Sequence, residues 1–166
     1  GASIRKIEKL LSIIASLVPF TPDMKSLKNL LGIGDERTLK TYLKYLEDAG
    51  VILTVAKTGK GLRELEKPEK IYLNNPNLYH ALVGGREPDR GAIRETFLLN
   101  MLFVEHTVSV PAKGDFLVDD SITIEVGGRT KGSGQVAAVD NAWLALDNIE
   151  IGHDRRIPLW LFGFLY

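Results

Sequence analysis

The chain has no cysteine among its 166 residues, which excludes a disulfide framework and a thiolate metal centre and leaves burial and hydrogen bonding to stabilise it. That absence fits a reducing, cytoplasmic setting. Its three histidines, His80, His106 and His153, are too scattered to form a metal site and read as surface or capping residues. No apolar run approaches the ~20 residues that cross a bilayer, and no signal-peptide pattern is present, so a soluble chain without a membrane partner is expected. Net charge is lacking as well, with 21 Lys and Arg against 21 Asp and Glu, which at first argues against a polyanionic partner. The balance hides an asymmetry: through Tyr72 there are 13 basic residues against 9 acids, and from Leu73 onward 8 against 12. An initiating Met is missing too; Gly1-Ala2 reads as a cloning remnant and the chain as a piece of a longer protein.

What is present divides at the same place. Ile4, Ile7, Leu10, Leu11, Ile14, Leu17 and Val18 recur at three- and four-residue steps, one stripe of a helix with Arg5, Lys6 and Lys9 on its other face. Pro19 and Phe20 end it. Thr21-Pro22-Asp23 supplies a cap, a first-turn proline and an acid for a second helix, buried through Leu27, Leu30 and Leu31. Asp35 caps a third, with Leu39, Tyr42, Leu43 and Leu46 inward and Ala49-Gly50 closing it. Val51 to Val55 is a β-branched run, Lys57 to Gly61 a basic glycine turn, and Lys70 to Leu73 a second extended run. Three helices and a hairpin in this order predict a winged helix over residues 1–74.

A winged helix offers a physical route to DNA. The third helix would enter the major groove with Arg37, Thr38, Lys40, Thr41 and Lys44 near bases and phosphates, and the wing would bring Lys57, Lys60 and Arg63 to the backbone. A solvated helix face explains the same residues, and winged helices also bind proteins, so a protein partner stands beside DNA as an expectation.

Residues 75–166 read differently. Asn74-Asn75-Pro76-Asn77 breaks the strand and caps a short helix from Leu78 to Val83. Ala92, Ile93, Phe97, Leu98, Met101 and Leu102 mark an apolar helix that carries Glu95. Three extended runs follow, Thr107 to Val110, Asp115 to Val118 and Ser121 to Val126, with Asp119-Asp120 as the turn between the last two. Gly127 to Gly134 reads as a loop, Gln135 to Asn141 as the first turns of a helix, and the continuous apolar run Ala142 to Leu146 as a buried strand. Trp160, Phe162, Phe164 and Tyr166 are expected to pack into the core as a last strand or helix. Asp154-Arg155-Arg156 reads as a solvated turn.

One constellation resembles a site. Asp115 and Glu125 fall on neighbouring strands with Glu95 on the helix before them, and clustered carboxylate oxygens without Cys or His suit a hard cation such as Mg²⁺. Such a cation activates water for phosphodiester hydrolysis. The plainer alternative makes Asp115 a turn acid after Gly114 and pairs Glu125 with Arg129 or Lys131.

The ordered set Lys70-Ile71-Tyr72-Leu73-Asn74-Asn75-Pro76-Asn77-Leu78, Gly91-Ala92-Ile93-Arg94-Glu95-Thr96-Phe97, Lys113-Gly114-Asp115-Phe116-Leu117-Val118 and Ile124-Glu125-Val126 carries a resemblance. It resembles the C-terminal half of a family of bacterial and archaeal AAA-type ATPases, in which a P-loop module precedes a winged helix and a PD-(D/E)xK nuclease-like domain. The resemblance covers nearly the whole chain. It implies an α+β or α/β architecture, a winged helix followed by a small restriction-endonuclease-like domain, with an ATP-binding module upstream in the same protein. Glu95, Asp115 and Glu125 match the family's acidic positions, and Gln135 matches a polar residue on the following helix.

Two departures shape the expected function. No GxxxxGK[ST] loop exists, and Gly59-Lys60-Gly61 lies in the wing, so this piece is expected neither to bind nor to hydrolyse ATP. The PD-(D/E)xK pattern also places Lys two residues after its second acid, where this chain has Glu125-Val126-Gly127. Losing one fixed electrostatic element of that kind costs roughly 10²–10³ in rate. The expectation is therefore a degenerate nuclease-like domain without a cofactor, retained to bind nucleic acid or a partner. The rival is a Mg²⁺-dependent DNA endonuclease in which Arg129 or Lys131 swings back into the lysine role. A transcriptional regulator is a third class, without a pocket signature to support it.

Overall fold

The computed structural model describes residues 1–59, 68–82, 87 and 89–165. Lys60 and Arg63, two of the expected DNA contacts, lie outside them, as does Tyr166. The chain begins with three helices, α1 (Ala2–Leu17), α2 (Met24–Leu30) and α3 (Glu36–Asp48). Asp23, rather than Thr21, caps α2 by accepting the Lys25 and Ser26 amides, and Asp35 caps α3 through the Arg37 amide. Leu39, Tyr42, Leu43 and Leu46 form the buried face of α3, as their spacing predicts. A two-stranded antiparallel hairpin follows, β1 (Ile52–Val55) and β2 (Lys70–Leu73), with Ile52 opposite Leu73 and Val55 opposite Lys70.

Two further helices, α4 (Asn77–Leu82) and α5 (Arg90–Leu102), lead into a five-stranded sheet. Its strands are β3 (Val108–Ser109), β4 (Phe116–Val118), β5 (Ile122–Gly127), β6 (Ala142–Leu146) and β7 (Arg156–Pro158), in that spatial order. The first two pairings are antiparallel and the last two parallel. Asp119 and Asp120 both adopt positive φ, 48° and 53°, in a turn closed by the Ser121 amide on the Val118 carbonyl (3.0 Å), so that Asp119, Asp120 and Ser121 separate the paired Val118 and Ile122. The unbroken apolar run of β6 follows from its place between two parallel neighbours, where both faces are covered. The described residues therefore form a mixed α+β structure with two sheets.

Buried side chains from both halves join one cluster, from Leu10 and Ile14 of α1 through Ile71 and Leu73 to Leu98, Leu99 and Phe116. Backbone bonds reinforce it. Phe20 and Ile71 exchange two hydrogen bonds (3.0 and 2.8 Å), and the segment after β1 bonds to Val110, with Thr58 donating to its carbonyl (3.0 Å) and Ala56 accepting from its amide (2.8 Å). A smaller cluster gathers Val136, Ala142, Leu144 and Leu146 on the far side of β6. Among the described residues no helix is long and apolar enough to cross a membrane.

Leu30, expected on the buried edge of α2, is 56 % exposed, and further expectations need correction. Residues 135–141 form turns rather than a helix, held by i→i+3 bonds from Val136 to Ser133 and from Val139 to Val136. Gly132, Ser133 and Gly134 favour turns, and only Val136 of this stretch is buried, too little apolar surface to dock a helix. The C-terminal aromatics also part company. Leu159–Phe164 is a 3₁₀ helix, whose three-residue repeat turns Leu159, Phe162 and Leu165 inward and leaves Trp160 and Phe164 53 % and 74 % exposed.

Candidate active site

Five segments distant in sequence deliver ionisable side chains to one place. Helix α5 carries Glu95, the residue before β4 is Asp115, the centre of β5 is Glu125, the loop after it holds Lys131, and β2 contributes Lys70 and Tyr72. Asp115 is fixed by two bonds that straddle Glu125. Its amide donates to the Ile124 carbonyl (3.0 Å), and its Oδ2 accepts from the Val126 amide (2.8 Å). Gly114 makes this approach feasible, since it adopts φ of +92° and a Cβ there would stand 2.6 Å from Thr123 Cγ2.

Glu125 is 1 % exposed, and a buried carboxylate requires a partner. Lys131 Nζ lies 2.5 Å from Glu125 Oε1 and donates a further bond to Gln135 Oε1 (3.1 Å). The position of this lysine explains the glycine at 127. A Cβ built on Gly127 would fall 2.5 Å from both Cβ and Cγ of Lys131, so the Lys131 side chain fills the volume that a side chain at 127 would take. Arg129, the other expected substitute, is exposed and has no ion pair with any described residue.

The electrostatics follow from this packing. Burial pushes the Glu125 carboxyl above its ordinary range despite the Lys131 ammonium, and Glu125 in turn raises Lys131. Glu95 is pushed up to about 7, first by burial and then by Asp115, while the Tyr72 hydroxyl and Lys70 work in the opposite sense. Tyr72 Oη donates to Glu95 Oε2 at 2.8 Å, and burial beside that carboxylate raises the phenol well above its usual value, which keeps it a neutral donor. Its ring also packs 5.8 Å from that of Phe116, next to Asp115. Glu95, Asp115, Glu125, Lys131 and Gln135 were legible as candidates. Lys70 and Tyr72 were not, because an isolated two-residue alternation does not say which face of a strand will meet the acids.

Among the described residues, no three His, Cys, Asp or Glu side chains lie close enough together to form a full metal cage. The donor set that exists is two carboxylates, each with one oxygen engaged: Asp115 Oδ2 by Val126 and Glu125 Oε1 by Lys131. Asp115 Oδ1 and Glu125 Oε2 accept no hydrogen bond from the described residues. Such a pair suits Mg²⁺, which binds through one or two carboxylates and keeps several waters.

The outer face of α3 is differently organised. Lys40 approaches Glu36 (3.6 Å), and Lys44 reaches Asp48 (2.7 Å) and Glu47 (3.5 Å). Thr41 turns its hydroxyl back to the Arg37 carbonyl (2.9 Å), and Thr54 donates to Glu47 from β1. An open groove of about 700 Å³ runs between α3 and β1, edged by Arg37, Lys40, Lys44, Glu47 and Pro68. Thr38 is half-buried at the start of this face, and Lys57 is exposed just past the end of β1.

No curated protein and no solved structure matches the chain. Residues 2–89, which take in the three helices, the hairpin and α4 and stop at the residue capping α5, match the family described as Domain of unknown function (DUF8612), and the chain belongs to that family.

Proposed function

We propose that the chain is a cytoplasmic, Mg²⁺-dependent DNA endonuclease region of the PD-(D/E)xK kind, preceded by a winged helix, in which the active-site lysine has moved from position 127 to position 131. The observation that carries this reading is the steric exchange at Gly127, where the missing side chain is replaced in space by Lys131 with its ammonium 2.5 Å from Glu125. The resemblance to the C-terminal half of AAA-type ATPases supplies the wider setting, a P-loop module in the full-length protein.

In this reading Asp115 and Glu125 would hold the cation, which would supply Lewis-acid polarisation of a phosphoryl oxygen and a more acidic water. Lys131 holds a fixed positive charge beside Glu125, where it orients the attacking water and offsets charge developing on the phosphate. Glu95, poised near 7, exchanges a proton with water or the leaving group at neutral pH. Gln135 fixes the ammonium from its outer side.

Incubating the protein with branched and linear DNA in Mg²⁺ or Mn²⁺ tests this. Cleavage that disappears in Asp115→Asn supports it; intact DNA under all conditions removes it. The observation favouring a second, non-catalytic reading is the closed Glu125–Lys131 pair, which satisfies the buried carboxylate without a metal. On that reading the region recognises DNA or a partner for the upstream ATPase, and unchanged duplex affinity in Lys40→Glu with Lys44→Glu would turn the choice toward a protein.

A further inference from the structure

Lys70 is half-buried, on a strand whose next residues are wholly enclosed, and its ammonium has no hydrogen bond or ion pair with any described residue. Burying part of a lysine without a partner is unfavourable unless something offsets it. Side chains two apart on a strand project to the same face, so Lys70 shares the side from which Tyr72 reaches Glu95. Its charge acts on both Glu95 and Glu125 without touching either. The site thus has two cations of different kinds. Lys131 is paired directly with Glu125, whereas Lys70 makes no hydrogen bond or ion pair with a carboxylate among the described residues.

We infer that Lys70 is a phosphate-binding residue of this site, gripping a backbone phosphate of a DNA strand that runs past the start of β2 toward the carboxylates. The inference rests on the nuclease reading for its substrate, and it makes the hairpin strand part of the site rather than a separate recognition device. Tyr72 is the positioning residue of the arrangement, because its bond to Glu95 ties the strand that carries Lys70 to the helix that carries the acid. Phosphate contacts of this kind locate the strand without reading sequence.

The test compares Lys70→Gln, Lys70→Arg and Lys131→Gln. Affinity for a labelled duplex is read by fluorescence anisotropy in Ca²⁺, cleavage is followed in Mn²⁺, and thermal melting monitors the fold. Lys70→Gln is expected to weaken Kd and raise KM about ten- to a hundredfold, the loss of one charge-assisted hydrogen bond, and to reduce the salt slope of binding by about one. Lys70→Arg restores both, since either cation serves a phosphate, while Lys131→Gln acts on kcat. If the wild type cleaves nothing but Lys70→Gln still weakens binding, the nuclease reading fails and the phosphate contact stands. Wild-type affinity in Lys70→Gln, a change confined to the melting temperature, or failure of Lys70→Arg to rescue overturns the inference, and a wild type that neither binds nor cleaves DNA overturns both.

Discussion

The outer face of α3 and the acidic site both bring lysines to carboxylates, yet they do so over different distances and in different surroundings. On α3 the partners are three or four residues apart on one exposed helix, Lys40 with Glu36 and Lys44 with Glu47 and Asp48. In the acidic site, α5, the entry to β4, β5 and β2 converge, and Glu125 is all but sealed from solvent. Exposed i,i+4 pairs are worth a few tenths of a kcal/mol each and form in the isolated helix. A buried carboxylate is costly unless paired, so the second arrangement persists only because the fold enforces it. Charge that the helix neutralises locally says little about a ligand, whereas charge assembled against its own desolvation cost marks a place where chemistry is feasible.

The sharpest way to break this comparison is at Lys131. Lys131→Gln should lower cleavage about 10²–10³-fold, against little effect from exposed lysines, as measured by single-turnover cleavage in Mn²⁺. Next comes Gly127→Ala, which adds one carbon where Lys131 already sits, 2.5 Å from its Cβ and Cγ. The displaced ammonium should cost about 10² in rate, and the pair Gly127→Lys with Lys131→Ala should recover part of it. Recovery would place the lysine role in a volume of space rather than at a sequence position.

Glu95 sharpens the comparison through stability. Its carboxyl is held at about 7 in the folded chain against 4.5 as the ordinary value, so the folded state keeps the proton that the unfolded state loses over that window. Stability therefore falls as pH rises from about 4.5 to about 7, and the deficit is full above that. Glu95→Gln, which still accepts from Tyr72, should gain on the order of 1–3 kcal/mol in urea unfolding near pH 8 and nothing near pH 4. The smallest effect is expected on α3, where Lys44→Gln should leave the urea midpoint essentially unchanged. A Lys40→Glu, Lys44→Glu protein that loses duplex affinity as steeply as Lys70→Gln would erase the contrast between the two regions.

Much of the local structure was legible in the sequence. The apolar stripe of α3 and its Asp35 cap, the Asp119-Asp120 turn and the unbroken apolar strand β6 all depend on neighbours within a few residues or on burial of both faces, and each is present. Placement on neighbouring expected elements nominated Glu95, Asp115 and Glu125, and the resemblance then matched them to a family's acidic positions. Tertiary structure alone decided that Lys131 rather than Arg129 pairs with Glu125, because a glycine-rich loop has no periodicity to aim a side chain. It also brought Lys70 and Tyr72 to the acids and turned Trp160 and Phe164 outward. The physical reason is common to these cases: hydrogen bonds and helix faces are set by near neighbours, but the cost of burying a charge depends on every segment packed around it.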